Sequence, residues 1–278
     1  MSKRTKAAVI QMTSTDQVEP NLACMERLVR AAAEDGASLV VVPECFAYLG
    51  SDAAGATSPG KAAIAEPLPA GGPILARCAS LARELAVELV LGGFWERGED
   101  PAKVKNACVH LDARGVVCGI YRKIHLFDVD LPDGTRLEES ASVERGEELV
   151  VTDSAIGRLG LSVCYDVRFP ELYRGLVDRG ATALAVPAAF TLTTGKEHWH
   201  VLLRARAIES QAYVLAAAQT GKHSGSRQSY GHALIVDPWG TVIAECGEGE
   251  GYACAWIDEA VVGRIRASLP SLSHRRLR

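Results

Sequence analysis

The 278-residue chain contains no CxxC pair, no Gly/Ser-rich linker, no low-complexity tract and no block of like charge. The first absence removes the usual spacing of zinc ribbons and of thioredoxin-like redox sites. The other three leave no point at which to divide the chain. We therefore read a single domain over residues 1–278, with a core from about 5 to 260 and a C-terminal tail over 261–278. A chain of this length can bury roughly three quarters of its unfolded surface in one core. No apolar stretch approaches the ~18 residues that a membrane span needs. The opening MSKRTKAAVIQM passes from a short basic stretch into a strand-like run, without the apolar core or small-residue cleavage site of a signal peptide. Net charge is −4, which offers phosphate backbones no basic field, so nucleic acid is not an expected partner.

What is present fits a globular enzyme. Hydrophobic residues make up 48% and charged residues 23%, near the globular average, which excludes disordered and fibrous classes. The cysteines, Cys24, Cys45, Cys78, Cys108, Cys118, Cys164, Cys246 and Cys254, are scattered, several of them inside apolar runs. That usage suits reduced thiols and predicts a soluble, cytoplasmic protein without membrane contact.

Strand-like runs occur at Ala7–Met12, Ser38–Val42, Val87–Trp95, Ala107–Leu111, Val116–Tyr121, Arg158–Cys164, Thr182–Val186, Val214–Gln219, His232–Val236 and Tyr252–Ile257. Helical spacing marks Leu22–Glu34, Ile74–Ala86, Glu171–Val177, Glu197–Tyr213 and Glu259–Leu269. Alternation of the two predicts an α/β architecture with much parallel pairing. His110 to Tyr121 reads instead as a hairpin, with Ala113, Arg114 and Gly115 at its turn. Periodicity alone does not say whether one sheet or two forms.

Three of these runs deliver a chemically active side chain at their ends. Leu39 to Val42 stops at Pro43 and is followed at once by Glu44, a carboxylate that must be solvated, paired or used. The run from Val116 delivers Lys123. Arg158 to Val163 leads to Cys164, at the strand edge where ligands of open α/β sheets collect. Singly, each has an ordinary reading as a turn, surface or buried residue. Together they form a base, a cation and a nucleophile in one chain.

The segments VVPECF, YRKIHLFD and LSVCYDVRFPELYR resemble the three catalytic signatures of the nitrilase superfamily, the carbon-nitrogen hydrolases. Pro187 to Gly221 and SYGHALIVDPWGTVIAE, Ser229 to Glu245, are similar to the branch holding the Nit amidases. The resemblance covers essentially the whole chain. It implies a four-layer αββα sandwich, and a homodimer or higher homo-oligomer joined through the helices that start near Pro170 and Glu197. It also implies that Cys164 attacks an amide carbonyl, that Glu44 moves the proton, and that Lys123 and the backbone N–H of Tyr165 hold the oxyanion. A second glutamate is usual between the lysine and cysteine signatures, and Glu139 in the EES of residues 138–140 matches it. No metal or organic cofactor is implied.

Arg168, four residues after the cysteine, suits bidentate recognition of a substrate carboxylate, its ordinary alternative being a scaffold pair with Asp166 or Glu171. Arg168, Phe190 and Thr194 match pocket positions of Nit amidases, which implies a small carboxylated α-keto amide as substrate. The stretch from Ala189, with AAQTGKH and SYGH, looks more like deaminated-glutathione amidases than ω-amidases of α-ketoglutaramate. Another nitrilase-superfamily amidase, an N-carbamoyl amidohydrolase and a silent binding protein on the same fold are the alternatives.

A thiol near pKa ~8.5 is only a few per cent thiolate at neutral pH, so activation needs a base or a cation. At an effective dielectric of ~20, a unit pair at ~4 Å is worth about 4 kcal/mol before desolvation. Half of that exceeds one pKa unit, at about 1.4 kcal/mol each. Lys123 is thus expected to draw the thiol toward thiolate. Other hydrolytic or metal chemistry lacks its signatures. His198 and His200 point apart on a helix without HExxH, GLSVC lacks the closing glycine of a nucleophile elbow, and no GxxxxGK[ST] phosphate loop is present.

Overall fold

The computed structural model describes residues 4–50, 60–130, 136–225 and 227–277. Its strands are Arg4–Met12 (β1), Leu39–Val42 (β2), Glu88–Arg97 (β3), Val104–Leu111 (β4), Val117–Arg122 (β5), Asp128–Asp130 (β6), Arg136–Glu138 (β7) and Val143–Glu144 (β8). They continue with Val151–Ser154 (β9), Gly157–Leu161 (β10), Ala183–Ala185 (β11), Tyr213–Ala216 (β12), Ala218–Lys222 (β13), Gln228–Tyr230 (β14), Leu234–Val236 (β15), Val242–Glu245 (β16) and Gly251–Asp258 (β17). Helices are Val18–Glu34 (α1), Lys61–Ile64 (α2), Pro73–Leu85 (α3), Pro170–Asp178 (α4), Leu192–Ser210 (α5) and Glu259–Ser268 (α6).

Two sheets form. The first runs β14-β13-β1-β2-β3-β4-β5, with β17 also on β1 and β8 on β4. The second runs β16-β15-β12-β11-β10-β9. Parallel pairs occupy the middle of each, β13 to β3 in one and β10 to β12 in the other, with antiparallel strands outside them. Side-chain alternation then assigns the layers. Ala7, Val9, Leu39, Val41, Val90 and Cys108 join the core shared with β10, β11 and β12. Their sequence neighbours Ala8, Ile10, Val40, Val42, Leu89 and Val109 pack with α1 and α3. Successive side chains point to opposite faces of a strand, so these apolar runs are buried on both sides. On the far face of the second sheet, Leu172, Tyr173 and Leu176 of α4 and Trp199 and Leu203 of α5 close the core. The order is helix, sheet, sheet, helix, the αββα sandwich.

Several boundaries differ from the sequence expectation for identifiable reasons. The run Val214–Gln219 is two strands, not one: β12 lies in the second sheet, β13 in the first, and the chain crosses at Ala217. Ala216, Ala217 and Ala218 are all buried, so the apolar pattern continues while the chain changes sheet. Helix α5 starts five residues earlier than expected, capped by the Thr191 side chain, which accepts from the Thr194 N–H. It ends at Ser210 rather than Tyr213, because Gln211 adopts φ 47° and turns the chain into β12. The hairpin turn is as expected, with Gly115 at φ 73° between β4 and β5. Helix α6 brings the start of the expected tail into the fold: Val262 is buried and Arg266 donates to the carbonyls of Ala181 and Gln211. Among the described residues no helix is long and apolar enough to cross a membrane.

Candidate active site

Glu44, directly beyond β2, is 4% exposed and fully engaged. Its Oε1 accepts from Lys123 Nζ at 3.1 Å and from Asn106 Nδ2 at 2.9 Å, and its Oε2 accepts from the Ala189 N–H at 2.9 Å. The loop can sit there because β3 bulges between Leu91 and Phe94. At the bulge Gly93 takes φ 59°, and a Cβ on it would lie 2.3 Å from the Cys45 nitrogen. A Cβ on Gly92 would lie 2.1 Å from Pro187 Cβ. Only glycines let the two loops approach this closely.

Lys123 follows β5 and is 2% exposed. Its ammonium also meets Glu139, at 2.8 Å to Oε2 and 3.1 Å to Oε1. Glu139 in turn accepts from the Phe127 N–H at 2.7 Å and from Asn106 Nδ2 at 3.2 Å. Cys164 lies past the end of the expected strand, which stops at Leu161, and opens the 3₁₀ turn Cys164–Arg168 at φ 47°. A non-glycine residue in this region costs on the order of 1–3 kcal/mol and must be held by its surroundings. Asp166 holds it: its carboxylate accepts from the Val163 N–H at 2.8 Å, Tyr121 Oη at 2.7 Å and the His125 N–H at 3.2 Å. Tyr121 and His125 stand two residues either side of Lys123, so one buried carboxylate fixes the lysine strand against the cysteine turn. The Cys164 N–H donates to the Pro187 carbonyl at 2.9 Å, and the Glu44 carboxylate acts on its thiol.

These groups lie in the wall of a cavity of about 590 Å³, also lined by Tyr165, Arg168, Phe190 and Thr194. The Arg168 guanidinium lies 5.1 Å from the Phe190 ring centroid and 5.9 Å from that of Tyr165, and bonds His198 Nδ1 at 3.3 Å. It pairs with neither Asp166 nor Glu171, the scaffold partners weighed for it. Among the described residues no acid pairs with this cation, so its charge is left for an anionic ligand while His198 and the rings hold the guanidinium.

A family model for carbon-nitrogen hydrolases matches residues 6–267. The chain belongs to the carbon-nitrogen hydrolase family. Human (Homo sapiens) deaminated glutathione amidase is 46% identical over 273 residues, 97% of this hydrolase and 81% of that protein. Among solved structures, the C. elegans NitFhit protein superposes with a TM-score of 0.90 at 42% identity, covering 99% of this hydrolase and 66% of that chain. Nit3 of Saccharomyces cerevisiae, a member of branch 10 of the nitrilase superfamily, gives 0.83 at 29% identity, covering 100% and 98%.

The resting charges of this hydrolase differ from the sequence expectation at the thiol. Burial and the neighbouring Glu44 carboxylate hold Cys164 well above the ordinary thiol range, and Lys123 offsets only part of this. Burial likewise opposes ionisation of Glu44, but Lys123, with hydrogen bonds from Cys164 and Asn106, outweighs it and the carboxyl titrates below its usual 4.5. Burial disfavours the Lys123 ammonium too, yet Glu139, Glu44 and Cys164 hold it well above its usual value. At neutral pH the site therefore rests as carboxylate, ammonium and neutral thiol. The lysine cannot preform a thiolate because burial and the Glu44 carboxylate together outweigh it at the same sulfur.

Several cavity residues of the hydrolase escaped the sequence reading. Asn106, inside the plain-looking strand KVKNACVH, joins both carboxylates; only its amide within a buried β4 run could have signalled it. Tyr48, just beyond the VVPECF segment, and Lys61, Trp95 and Arg227, remote in sequence from the three signatures, also line the cavity. His198 and His200 do point apart, His198 to Arg168 and His200 to Glu245. His232, 32 residues beyond His200, joins it only through the fold: both imidazoles bond Glu245 Oε1, at 2.9 and 2.7 Å, a trio that does not line the cavity.

Proposed function

We propose that this hydrolase cleaves the amide of deaminated glutathione through a thioester on Cys164. That molecule is glutathione with its γ-glutamyl amine replaced by a ketone, so a carboxylate lies at each end of it and the scissile amide between them. The Cys164 sulfur attacks the amide carbon as its proton passes to Glu44, and the C=O electrons move to oxygen. Because the thiol is neutral at rest, proton transfer accompanies attack. The Lys123 ammonium and the Tyr165 N–H hold the oxyanion, each such donor being worth roughly 10²- to 10³-fold in rate. Collapse breaks the C–N bond, and Glu44 returns the proton to the departing cysteinylglycine amine. Glu44 then deprotonates water, which attacks the thioester; 2-oxoglutarate leaves and the thiol is reprotonated. Glu139 and Asn106 keep Lys123 aimed, and Arg168, stacked on Phe190 beside Thr194, takes the carboxylate of the α-keto acid.

The observation that carries this reading is the cavity of about 590 Å³ with Glu44, Lys123 and Cys164 together in its wall and Arg168 free of acid partners. The volume lies within the ~300–1,000 Å³ of ligand sites and leaves room for a peptide tail. The similarity to deaminated glutathione amidases supports the same substrate. The test is 2-oxoglutarate formation from deaminated glutathione and from α-ketoglutaramate. A higher kcat/KM for the former, lost in Cys164→Ala, is expected; preference for α-ketoglutaramate would make the enzyme an ω-amidase instead.

The proposal includes a cytoplasmic homodimer, or a higher homo-oligomer, with small-molecule amides rather than nucleic acid as partners. Val201 and Ile208, seven residues apart on one side of α5, are 67% and 49% exposed, and Trp239 is 59% exposed. An apolar stripe of this kind is suited to a second copy. Sedimentation should give a dimer for wild type and a shift toward monomer for Ile208→Glu.

A further inference from the structure

Arg227 stands in the loop between β13 and β14 and faces the same cavity as Cys164, with Ser224 and Gly225 beside it. Its Nε is buried and has no hydrogen-bond partner. Among the described residues its guanidinium forms no side-chain hydrogen bond and no ion pair. Its charge nevertheless reaches the site, helping to hold the Glu44 carboxylate ionised. A half-buried arginine on the cavity wall, with a buried Nε that has no partner, lacks among the described residues the acceptor its five-donor fork is built for.

The other cations of the cavity are in use. Lys123 is held by Glu44 and Glu139, and Lys61 packs 5.3 Å over the Trp95 ring. Arg168 follows β10 of the second sheet and shares its aromatic wall with Phe190, whereas Arg227 comes from a loop of the first sheet. Two guanidiniums without an acid partner among the described residues thus reach one cavity from different sheets, with the reactive sulfur in the wall of the same cavity. A substrate with one carboxylate satisfies one of them. A substrate with a carboxylate on each side of its scissile bond satisfies both.

We infer that Arg227 is a specificity-determining residue that binds the terminal carboxylate of the leaving group, the far end of the peptide tail, while Arg168 binds the acyl end. This rests on the proposed function and extends it: the hydrolase selects amides that are anionic on both sides of the scissile bond. An α-ketoglutaramate-type substrate, whose leaving group is ammonia, leaves Arg227 unmatched.

The experiment compares kcat/KM for deaminated glutathione with that for the same compound carrying a terminal glycinamide, α-ketoglutaramate being measured alongside. Wild type should favour the free carboxylate by about 10- to 100-fold, the range of one charged hydrogen-bonded contact. Arg227→Met should reduce that ratio to under about 3-fold and Arg227→Lys to a value between. Arg168→Met should slow both tailed substrates while keeping the ratio, since it acts at the other end. A ratio near one in wild type, or an unchanged ratio in Arg227→Met, overturns the inference while leaving the substrate assignment intact. An equal loss on all three substrates in Arg227→Met also overturns it, by assigning Arg227 to the charge balance of Glu44. Turnover of α-ketoglutaramate alone by wild type would instead remove the proposed function and this inference with it.

Discussion

Cys164 and Cys118 both sit beside acid–base partners, Cys118 near the start of β5 and Cys164 in the site that Lys123 enters just beyond its end. Cys118 lies near the start of β5, with its sulfur 3.2 Å from His110 Nδ1, and His110 Nε2 lies 3.4 Å from Glu88. Lys123 follows the other end of the same strand, on the order of 17 Å away at ~3.4 Å per residue. On a list of residue types, the cysteine, histidine and glutamate at the hairpin end look the more ready for nucleophilic work. Yet Cys118 is exposed on an edge strand and does not line the large cavity, while Cys164 is buried, neutral and does. The comparison teaches that a thiol becomes useful through what surrounds the carbon it attacks: a base for its proton, a fixed cation for the oxyanion and a cavity to hold the substrate.

The sharpest way to break the comparison is to remove each sulfur. Cys164→Ala should lower kcat by at least ~10⁴-fold, as loss of a covalent nucleophile does, while Cys118→Ala stays within about twofold. The opposite pattern in 2-oxoglutarate release would move the chemistry to the hairpin end. Next in size is Lys123→Met, for which we expect a fall of ~10²- to 10³-fold or more in kcat. It should also lower stability by roughly 3–5 kcal/mol in denaturant titrations, because Glu44 and Glu139 would be buried without their shared cation. A fully stable, active variant would contradict the arrangement.

Asn106→Leu sharpens the same point one step out. Its amide bonds to both carboxylates, so we expect a loss of about 10- to 100-fold in kcat, with KM changing less. The smallest expected effect belongs to the hairpin end. Burial opposes protonation of His110, but the neighbouring Cys118 sulfur and Glu88 carboxylate outweigh it and raise the imidazole from 6.5 to about 9. A folded-state pKa above the unfolded one favours the fold fully below the unfolded value, and that contribution is lost as pH rises through about 9. Thermal melts should therefore show Tm falling by a few degrees (~2–4 °C) from neutral to alkaline pH. Cys118→Ala should flatten that slope without touching kcat; an unchanged slope would mean that the pair is not responsible.

Much of this was legible in the residues. Apolar runs leading to Glu44 and Lys123, the hairpin around Gly115 and the helical spacing of α1 and α3 depend on local pattern and appear close to where the chain suggested, while the run toward Cys164 stops as a strand at Leu161. Arg168, Phe190 and Thr194 followed from resemblance and do line the cavity. Other features depended on neighbours distant along the chain. The apolar stretch through Ala217 carries no mark of the change of sheet, since either sheet would bury it. Asn106 looks like any strand residue until β4 lies beside the Glu44 loop. Asp166 looked like a partner for Arg168, and only the fold gave it to Tyr121 and His125.

The alternation of strands and helices, the two-sided burial of the central runs and the placing of a carboxylate, a lysine and a cysteine after apolar runs follow from sequence alone, because hydrophobic period and residue chemistry are local properties. The tertiary structure alone decided the protonation state of the thiol and the guanidiniums left to face the cavity. Both are sums over charges and burial contributed by segments far apart in order, and those sums exist only once the two sheets have stacked.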